Sequence, residues 1–180
     1  MRSWMLGVCM LLNAGAVQAE AKDEVYTKVG NWELVARENQ GRCSMKRLYG
    51  SVVPDQEQAL VIMYNARDER VAFAWASNKP KFLPAHGSIN LDLAFIKKSG
   101  LDESWGSQSF DYDKQPGGYF LVHVFIGSAN AERILHDLAS NEGLSLFLGP
   151  DVLMGVPLDA ADAVKELRRC ALTGPGSVTK

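Results

Sequence analysis

The chain has 180 residues, of which 47% are hydrophobic and 22% are charged, and its formal net charge is −2. This length is typical of a single domain that can bury a substantial core. The slight acidic excess, without any block of Lys or Arg, lacks the basic footprint of nucleic-acid or anionic-lipid binding, so we expect no nucleic-acid partner.

Residues 1–19 have the pattern of a secretory signal peptide. Arg2 precedes a short apolar run at residues 5–12, and small residues follow as far as Ala19. A membrane anchor would need about twenty apolar residues, more than this run supplies. We expect cleavage after Ala19, a periplasmic location, and no membrane insertion after cleavage.

The first half of the mature chain is predicted to consist of strands. Residues 26–38 alternate between apolar and polar side chains, which indicates a half-buried strand carrying Trp32. Residues 42–49 alternate in the same way and place Cys43 on the inner face. A second hairpin is predicted from residues 59–66 and 70–77.

The strand at residues 70–77 has bulky side chains on one face and alanines on the other, which would let a second layer approach closely. Residues 88–96 give the clearest alternation of period two. A further strand is predicted around residues 107–112. Residues 118–126 are apolar on both faces and predict a central strand covered on both sides.

Two helices are predicted near the end of the chain. The first spans residues 128–140 and is capped by Ser128. After strands at residues 144–148 and 152–156, the second spans residues 159–171 and is capped by Asp159. Residues 172–180, rich in Gly, Ser and Thr, are predicted to be a disordered tail.

The predicted fold class is α+β, mainly antiparallel β, with a two-layer β-sandwich-like sheet and two C-terminal helices packed on it. We found no internal repeat and no linker long enough to divide the mature chain. Residues 20–171 are therefore expected to form a single β-rich domain.

Three cysteines occur in the chain, and Cys9 leaves with the signal peptide. An exported chain with Cys43 and Cys170 near its two ends predicts one disulfide. Two buried free thiols are the alternative. Two distant cysteines and scattered histidines have no metal-ligand spacing, so we expect neither a metal nor another cofactor.

No catalytic motif is recognisable, and we assign no catalytic residue. The sequence has no Gly-x-Ser-x-Gly elbow. His123 is predicted to be a structural histidine and His136 to lie on a helix surface or rim. His86, in a Pro-rich loop, is the histidine placed where active-site residues often lie.

Trp105 and His86 are the candidates for an interaction surface. Trp105 lies in a polar segment, and large aromatic side chains in polar loops are enriched at interfaces. The alternative for Trp105 is a side chain folded over the core. Nearby acidic pairs, such as Asp111 with Asp113, are expected to be solvated.

Two motifs resemble a known family. The stretch from Gly30-Asn31-Trp32 to Cys43, and Val156-Pro157-Leu158-Asp159-Ala160-Ala161 before the final helix, are similar to the invasion-associated locus B family of exported proteobacterial proteins. The resemblance covers roughly the first and last quarters of the mature chain. It implies a periplasmic β-sandwich with a role in envelope interactions, and no catalytic residue.

The functional hypothesis is a non-enzymatic module that binds a protein or an envelope component. The alternatives are a periplasmic hydrolase with an unrecognised active site, sought around His86, and an inhibitor or immunity protein for an envelope enzyme. A cleft lined by converging polar groups would favour the hydrolase, and a flat or convex surface bearing Trp105 would favour the binding module.

Overall fold

A computed structural model describes residues 23–37, 42–50, 58–77, 83–99, 102–115 and 118–173. Within these ranges the chain forms ten strands and two helices. The strands are β1 (Asp23–Val29), β2 (Trp32–Arg37), β3 (Arg42–Tyr49), β4 (Gln58–Asn65), β5 (Arg70–Ser77), β6 (His86–Ile96), β7 (Asp102–Gln115), β8 (Gly118–Ile126), β9 (Gly143–Leu148) and β10 (Asp151–Pro157). The helices are α1 (Ser128–Ser140) and α2 (Ala161–Thr173).

All strand pairs are antiparallel, and they form one sheet in the order β1-β2-β3-β4-β5-β8-β7-β6-β9-β10. The predicted α+β fold of mainly antiparallel strands with helices packed on the sheet is confirmed. The strands share a single hydrogen-bonded sheet, which curls so that β10 meets β2 and β3. The domain is therefore layered because this one sheet curls and because both helices pack on the same side of it.

The inner face of the sheet and the two helices enclose the core. Helix α1 packs on β5 and β8, α2 packs on β2, β3 and β4, and the helices contact each other. The buried apolar stripe of α1 includes Ile134, Leu135 and Leu138, as predicted. Ser128 does not cap α1: the N-cap position is Gly127, and no side chain caps the helix there.

The predicted disulfide joins β3 to α2. Cys43 and Cys170 are bonded across 127 residues, with their Cα atoms 6.0 Å apart. Both side chains are buried, at 3% and 0% exposure, because alternation along β3 and the apolar stripe of α2 point both inward. The bridge therefore fixes α2 against β3.

Several segments differ from the sequence prediction. His86, expected in a Pro-rich loop, is the first residue of strand β6, and α2 begins at Ala161 rather than at 159. The single strand expected at residues 26–38 is a hairpin, β1 and β2, because Gly30 adopts a positive φ of 56° and reverses the chain with Asn31. Trp105 lies in strand β7 rather than in a loop. Leu172 and Thr173, expected in the tail, belong to α2.

Two predicted segments are not described by the structure. The signal peptide, residues 1–19, and the remainder of the tail, residues 174–180, lie outside the described residues. No described helix is long and apolar enough to cross a membrane.

Candidate binding face

Strand β5 carries large apolar side chains inward and small ones outward. Val71, Phe73 and Trp75 are fully buried beneath the helices. The alternate positions are Ala72, Ala74 and Ala76, and they face away from α1 and α2 because successive side chains of a strand point to opposite faces. We call this side of the sheet the outer face.

The strands that flank β5 carry larger outward side chains. On the β4 side, Met63 lies opposite Ala72 and Val61 lies opposite Ala74. On the β8 side, the alanines lie in turn opposite Val124, Val122 and Phe120. Ala72 and Ala74 thus lie between larger residues on both sides, and Ala76 lies between Ala59 and Phe120. We call this line of small residues along β5 the alanine trough.

The outer face leaves large apolar side chains in solvent. The exposed large hydrophobic residues of β3, β4 and β8 are Leu48 (70%), Met63 (38%), Val124 (41%) and Ile126 (59%). The prediction that residues 118–126 are covered on both sides is therefore wrong for the described part of the molecule. An antiparallel sheet can leave one face in water, and both helices pack on the other face.

Two concavities lie along the outer face. One, of about 570 Å³, spans β2 to β8 and has Val61, Met63, Ala72 and Val124 in its lining. The second, of about 330 Å³, continues toward the other end of β5, between Leu48, Ala76 and Phe120. Ala72 lines the first and Ala76 the second, while Ala74 between them is fully buried and lines neither.

Cationic side chains border the larger concavity at one end. Arg42 and Arg70 both lie opposite Asn65 on β4 and line the concavity with Asp68. Asn65 holds the Asp68 carboxylate, donating from Nδ2 to Oδ2 at 2.6 Å. Neither arginine forms an ion pair with a described acidic side chain.

Lys46 also lines this concavity, but its charge is compensated. Its Nζ lies 3.3 Å from Glu33 Oε2, and Lys28 lies 2.9 Å from Glu33 Oε1. Hydrogen bonds from these two ammonium groups hold the pKa of Glu33 below its ordinary value. Arg42 and Arg70 are therefore the cations in this lining that have no ion pair with a described acidic side chain.

A further concavity, of about 890 Å³, lies where the curled sheet meets itself. Its polar groups are occupied by one another: Arg47 Nη1 donates to the Leu158 carbonyl at 2.6 Å, and the Tyr49 hydroxyl donates to the Pro157 carbonyl at 3.0 Å. Burial raises the pKa of Tyr49 to about 12. The charged side chains Lys28, Glu33 and Lys46 in its lining are likewise paired with one another, so the described side chains here connect parts of the fold.

The structure places Trp105 between β7 and α1. Its Nε1 donates to Asp137 Oδ2 at 2.8 Å, Arg133 lies 4.2 Å above the ring centroid, and Phe125 packs edge-on at 5.0 Å. This arrangement corresponds to the alternative of a side chain folded over the core. Its role as an interaction residue stays a prediction.

The histidines do not converge with one another. His86 is exposed at the start of β6, opposite Asp113. His123 is half-buried, and its Nδ1 lies 2.8 Å from the Ser109 carbonyl oxygen. His136 is exposed on α1, with Nε2 3.5 Å from Ser140 Oγ. His86 stays a prediction for the interaction surface.

The carboxylates near these histidines are committed to neighbouring polar groups. Asp111 accepts from Ser88 Oγ at 2.6 Å, and Asp113 accepts from Gln115 Nε2 at 2.7 Å. Among the described residues no group of three or more His, Cys, Asp or Glu side chains could hold a metal ion. Every buried side-chain nitrogen or oxygen within the described ranges has a hydrogen-bond partner.

Alternation along β5 predicts its alanine side but not the trough. The trough depends on β8 lying beside β5, and two strands separate them in the chain. Comparison with known proteins gave no matching family model, no matching curated protein and no matching solved structure.

Proposed function

We propose that this chain is an exported, periplasmic, non-enzymatic protein that binds an apolar partner on the outer face of its sheet. The observation that carries the proposal is the concentration of exposed large apolar side chains there, including Met63, Val124 and Ile126. Contiguous apolar surface bordered by polar residues is typical of interaction sites. Scattered single hydrophobic residues would carry no such meaning.

Export is proposed from the leader pattern at residues 1–19 and is supported by the bond between Cys43 and Cys170. Disulfides persist in oxidising compartments such as the periplasm. The resemblance to the invasion-associated locus B family, whose members are exported, belongs to the same proposal. An inhibitor or immunity protein is a special case of it, with the active site of an envelope enzyme as the partner.

The hydrolase alternative receives no support from the described residues. His86 is exposed and lacks a described hydrogen-bond partner, and the neighbouring Ser88 hydroxyl donates to Asp111. A nucleophile needs a base within hydrogen-bond reach and a third group that orients the base. The described polar side chains around His86 do not form such a series.

Export is tested by expressing the full chain in a bacterial host with a periplasm and measuring the intact mass of the product. The expected product begins at Glu20, accumulates in the periplasmic fraction and gains two hydrogens on reduction. Replacing the apolar run with Leu6→Arg and Leu11→Arg should keep the product in the cytoplasm. A wild-type product that retains Met1 in the cytoplasm would overturn the export proposal.

Binding on the outer face is tested with a photoreactive amino acid at position 124 and, as a matched control, at exposed position 165 on α2. Irradiation of intact cells should give a discrete adduct from position 124 and little from position 165. Met63→Glu should reduce the adduct, because a charge beside the trough disfavours apolar contact. Equal labelling from both positions would contradict the proposal.

A further inference from the structure

We infer that the occupant of the alanine trough is a free long-chain carboxylate, with its acyl chain along β5 and its head group at Arg42 and Arg70. This inference rests on the proposed function and specifies the ligand of the same face. It follows from three features of the outer face: the shape of the trough, its apolar lining and the position of its cations.

The trough suits a single unbranched chain. It is one strand wide: Ala72 and Ala76 line its two concavities, and between them Ala74 is fully buried beside Val61 and Val122. From Arg70 to Ala76 the trough runs roughly 20 Å, at about 3.3 Å per residue. A long acyl chain in its extended form covers a comparable length.

The lining along β5 and its two neighbouring strands is mainly apolar, and the polar side chains of the larger concavity lie along β3 and at the Arg42 end. Val61 and Met63 form one wall, and Val122 and Val124 form the other. Burying such groups against an acyl chain removes apolar surface of both partners from water, which is worth about 0.8 kcal/mol for each buried methylene. Affinity should therefore rise with the length of the chain.

The cations lie at one end of the trough, and this asymmetry selects an amphiphile with one charged end. Arg42 and Arg70 stand on either side of Asn65, about two strand spacings, or roughly 10 Å, apart at their Cα atoms. Guanidinium groups bind carboxylates through paired, charge-assisted hydrogen bonds. Asp68 is the acidic side chain in this lining, and Asn65 already engages it.

Two other occupants fit less well. The backbone groups of β5 are paired with β4 on one side and β8 on the other, so a peptide laid on this face would find no backbone partners and would bury its own polar groups. A second copy joined face to face by a two-fold axis parallel to β5 would bring Arg42 and Arg70 toward the same arginines of its partner, and an axis across β5 would place both arginines against the partner's apolar end near Ala76 and Phe120. Like charges at an interface oppose association.

The test is equilibrium binding of palmitate to the mature, oxidised protein, below the concentration at which palmitate aggregates. Hexadecanol, with the same chain and no charge, and octanoate, with the same head and a short chain, are the ligand controls. We expect saturable binding of palmitate at one site, weaker binding of hexadecanol, and still weaker binding of octanoate.

Variants separate the contributions of head and chain. Arg42→Gln with Arg70→Gln should weaken palmitate about ten-fold or more and leave hexadecanol nearly unchanged, because charged hydrogen bonds are lost. Ala72→Phe should fill the trough and weaken both ligands. Lys165→Gln, which removes one positive charge from the exposed side of α2, should bind like the wild type.

Each variant is first compared with the wild type by circular dichroism and urea unfolding. Should Ala72→Phe fail to fold, Met63→Lys alters the wall residue opposite Ala72, which is exposed. Absence of saturable palmitate binding, equal binding by the double Gln variant, or binding only to phosphatidylglycerol vesicles would overturn the inference.

The photocrosslinking experiment tests the proposed function separately from the palmitate experiment. Adducts from position 124 together with a failure of palmitate to bind would refute the ligand while leaving a binding face. Failure of both experiments would refute the face itself. Saturable palmitate binding that depends on Arg42 and Arg70 would support both.

Discussion

Trp105 and Asp137 form a polar tie between strand β7 and helix α1. The indole N–H donates to the Asp137 carboxylate, and Arg133 lies over the ring and 3.8 Å from the same carboxylate. Asp137 is only 4% exposed, so water contributes little to satisfying its oxygens. Trp105 therefore depends on a specific partner rather than on burial alone.

Replacing Asp137 with Ala should leave the indole N–H without its acceptor. We expect the free energy of unfolding to fall by about 1–3 kcal/mol, the cost of an unsatisfied, partly buried donor. Urea denaturation followed by far-UV circular dichroism measures it. In a double-mutant cycle the loss should be smaller when Trp105 is already Phe.

A suitable control for this change is Asp92→Ala, because Asp92 is exposed on β6. Its effect should stay within about 0.5 kcal/mol, as for most surface substitutions. Equal losses at Asp137 and Asp92, or an unchanged loss in the Phe background, would show that the tie does not contribute.

Tyr49 gives the protein a specific response to alkaline pH. Burial raises its pKa to about 12 from an ordinary value of 10.0, although Arg47 opposes the shift. Between these two values the unfolded chain loses a proton that the folded chain keeps. Stability therefore falls as the pH rises through this interval and is complete below it.

Tyr49→Phe should remove this response. Below pH 10 the variant should be less stable by about 0.5–1.5 kcal/mol, because the hydrogen bond to the Pro157 carbonyl is lost. Toward pH 12 the difference should shrink and then reverse. Urea unfolding across this range tests it, and a difference that stays constant with pH would contradict the buried, protonated phenol.

At the scale of elements, the disulfide is the covalent link between α2 and the hairpin formed by β3 and β4. It closes a segment of 127 residues. On the chain-entropy model, a loop of about 100 residues stabilises the folded state by about 4.7 kcal/mol, before any opposing effect in the native state. The last helix should be the element most affected when this link is removed.

Replacing Cys43 and Cys170 together with Ala should lower the free energy of unfolding by about 2–5 kcal/mol. Hydrogen exchange should show the amides of α2 opening before those of β5 and β8. Wild-type protein treated with reductant should behave like the double variant. Unchanged stability in both samples would mean that packing alone holds α2.

Elements with a local signal could be predicted from the sequence. The bounds of β3, β5, β8 and α1 match the predicted segments because each has regular alternation or a helical stripe, ended by turn residues. The hairpin of β1 and β2 was not predicted, since a two-residue turn at Gly30-Asn31 interrupts an otherwise continuous pattern. Trp105 was placed in a loop because β7 is rich in polar residues.

The candidate face could be predicted only in part. Alternation along β5 identifies the alanine positions, and a covering second layer was the natural expectation. Whether those alanines form a trough depends on Val122 and Val124, which reach β5 through a pairing distant in sequence. The role of Arg42 and Arg70 depends in the same way on β3 and β5 both lying beside β4.

At the scale of the whole molecule, the curled sheet is closed by side chains rather than by strand pairing. Trp32 Nε1 donates to the carbonyls of Leu158 and Asp159 at 3.2 and 3.1 Å, and Arg47 also donates to the Leu158 carbonyl. Arg47 lies 6.0 Å from the Trp32 ring centroid and 4.9 Å from that of Tyr49. One guanidinium therefore connects β3 to the segment between β10 and α2.

Arg47→Met tests how much this closure contributes, because Met keeps much of the apolar stem and removes the donors and the charge. We expect a loss of about 1.5–3 kcal/mol in the free energy of unfolding, the range for a hydrogen bond from a charged group. Hydrogen exchange should increase along β10 and at the start of α2, with β5 and β8 little changed.

Arg168→Met is the matched control, since Arg168 pairs with the exposed carboxylate of Glu132, and exposed ion pairs contribute about 0–1 kcal/mol. Equal losses in the two variants, or faster exchange spread evenly over the sheet, would show that the Leu158 contact does not close the fold.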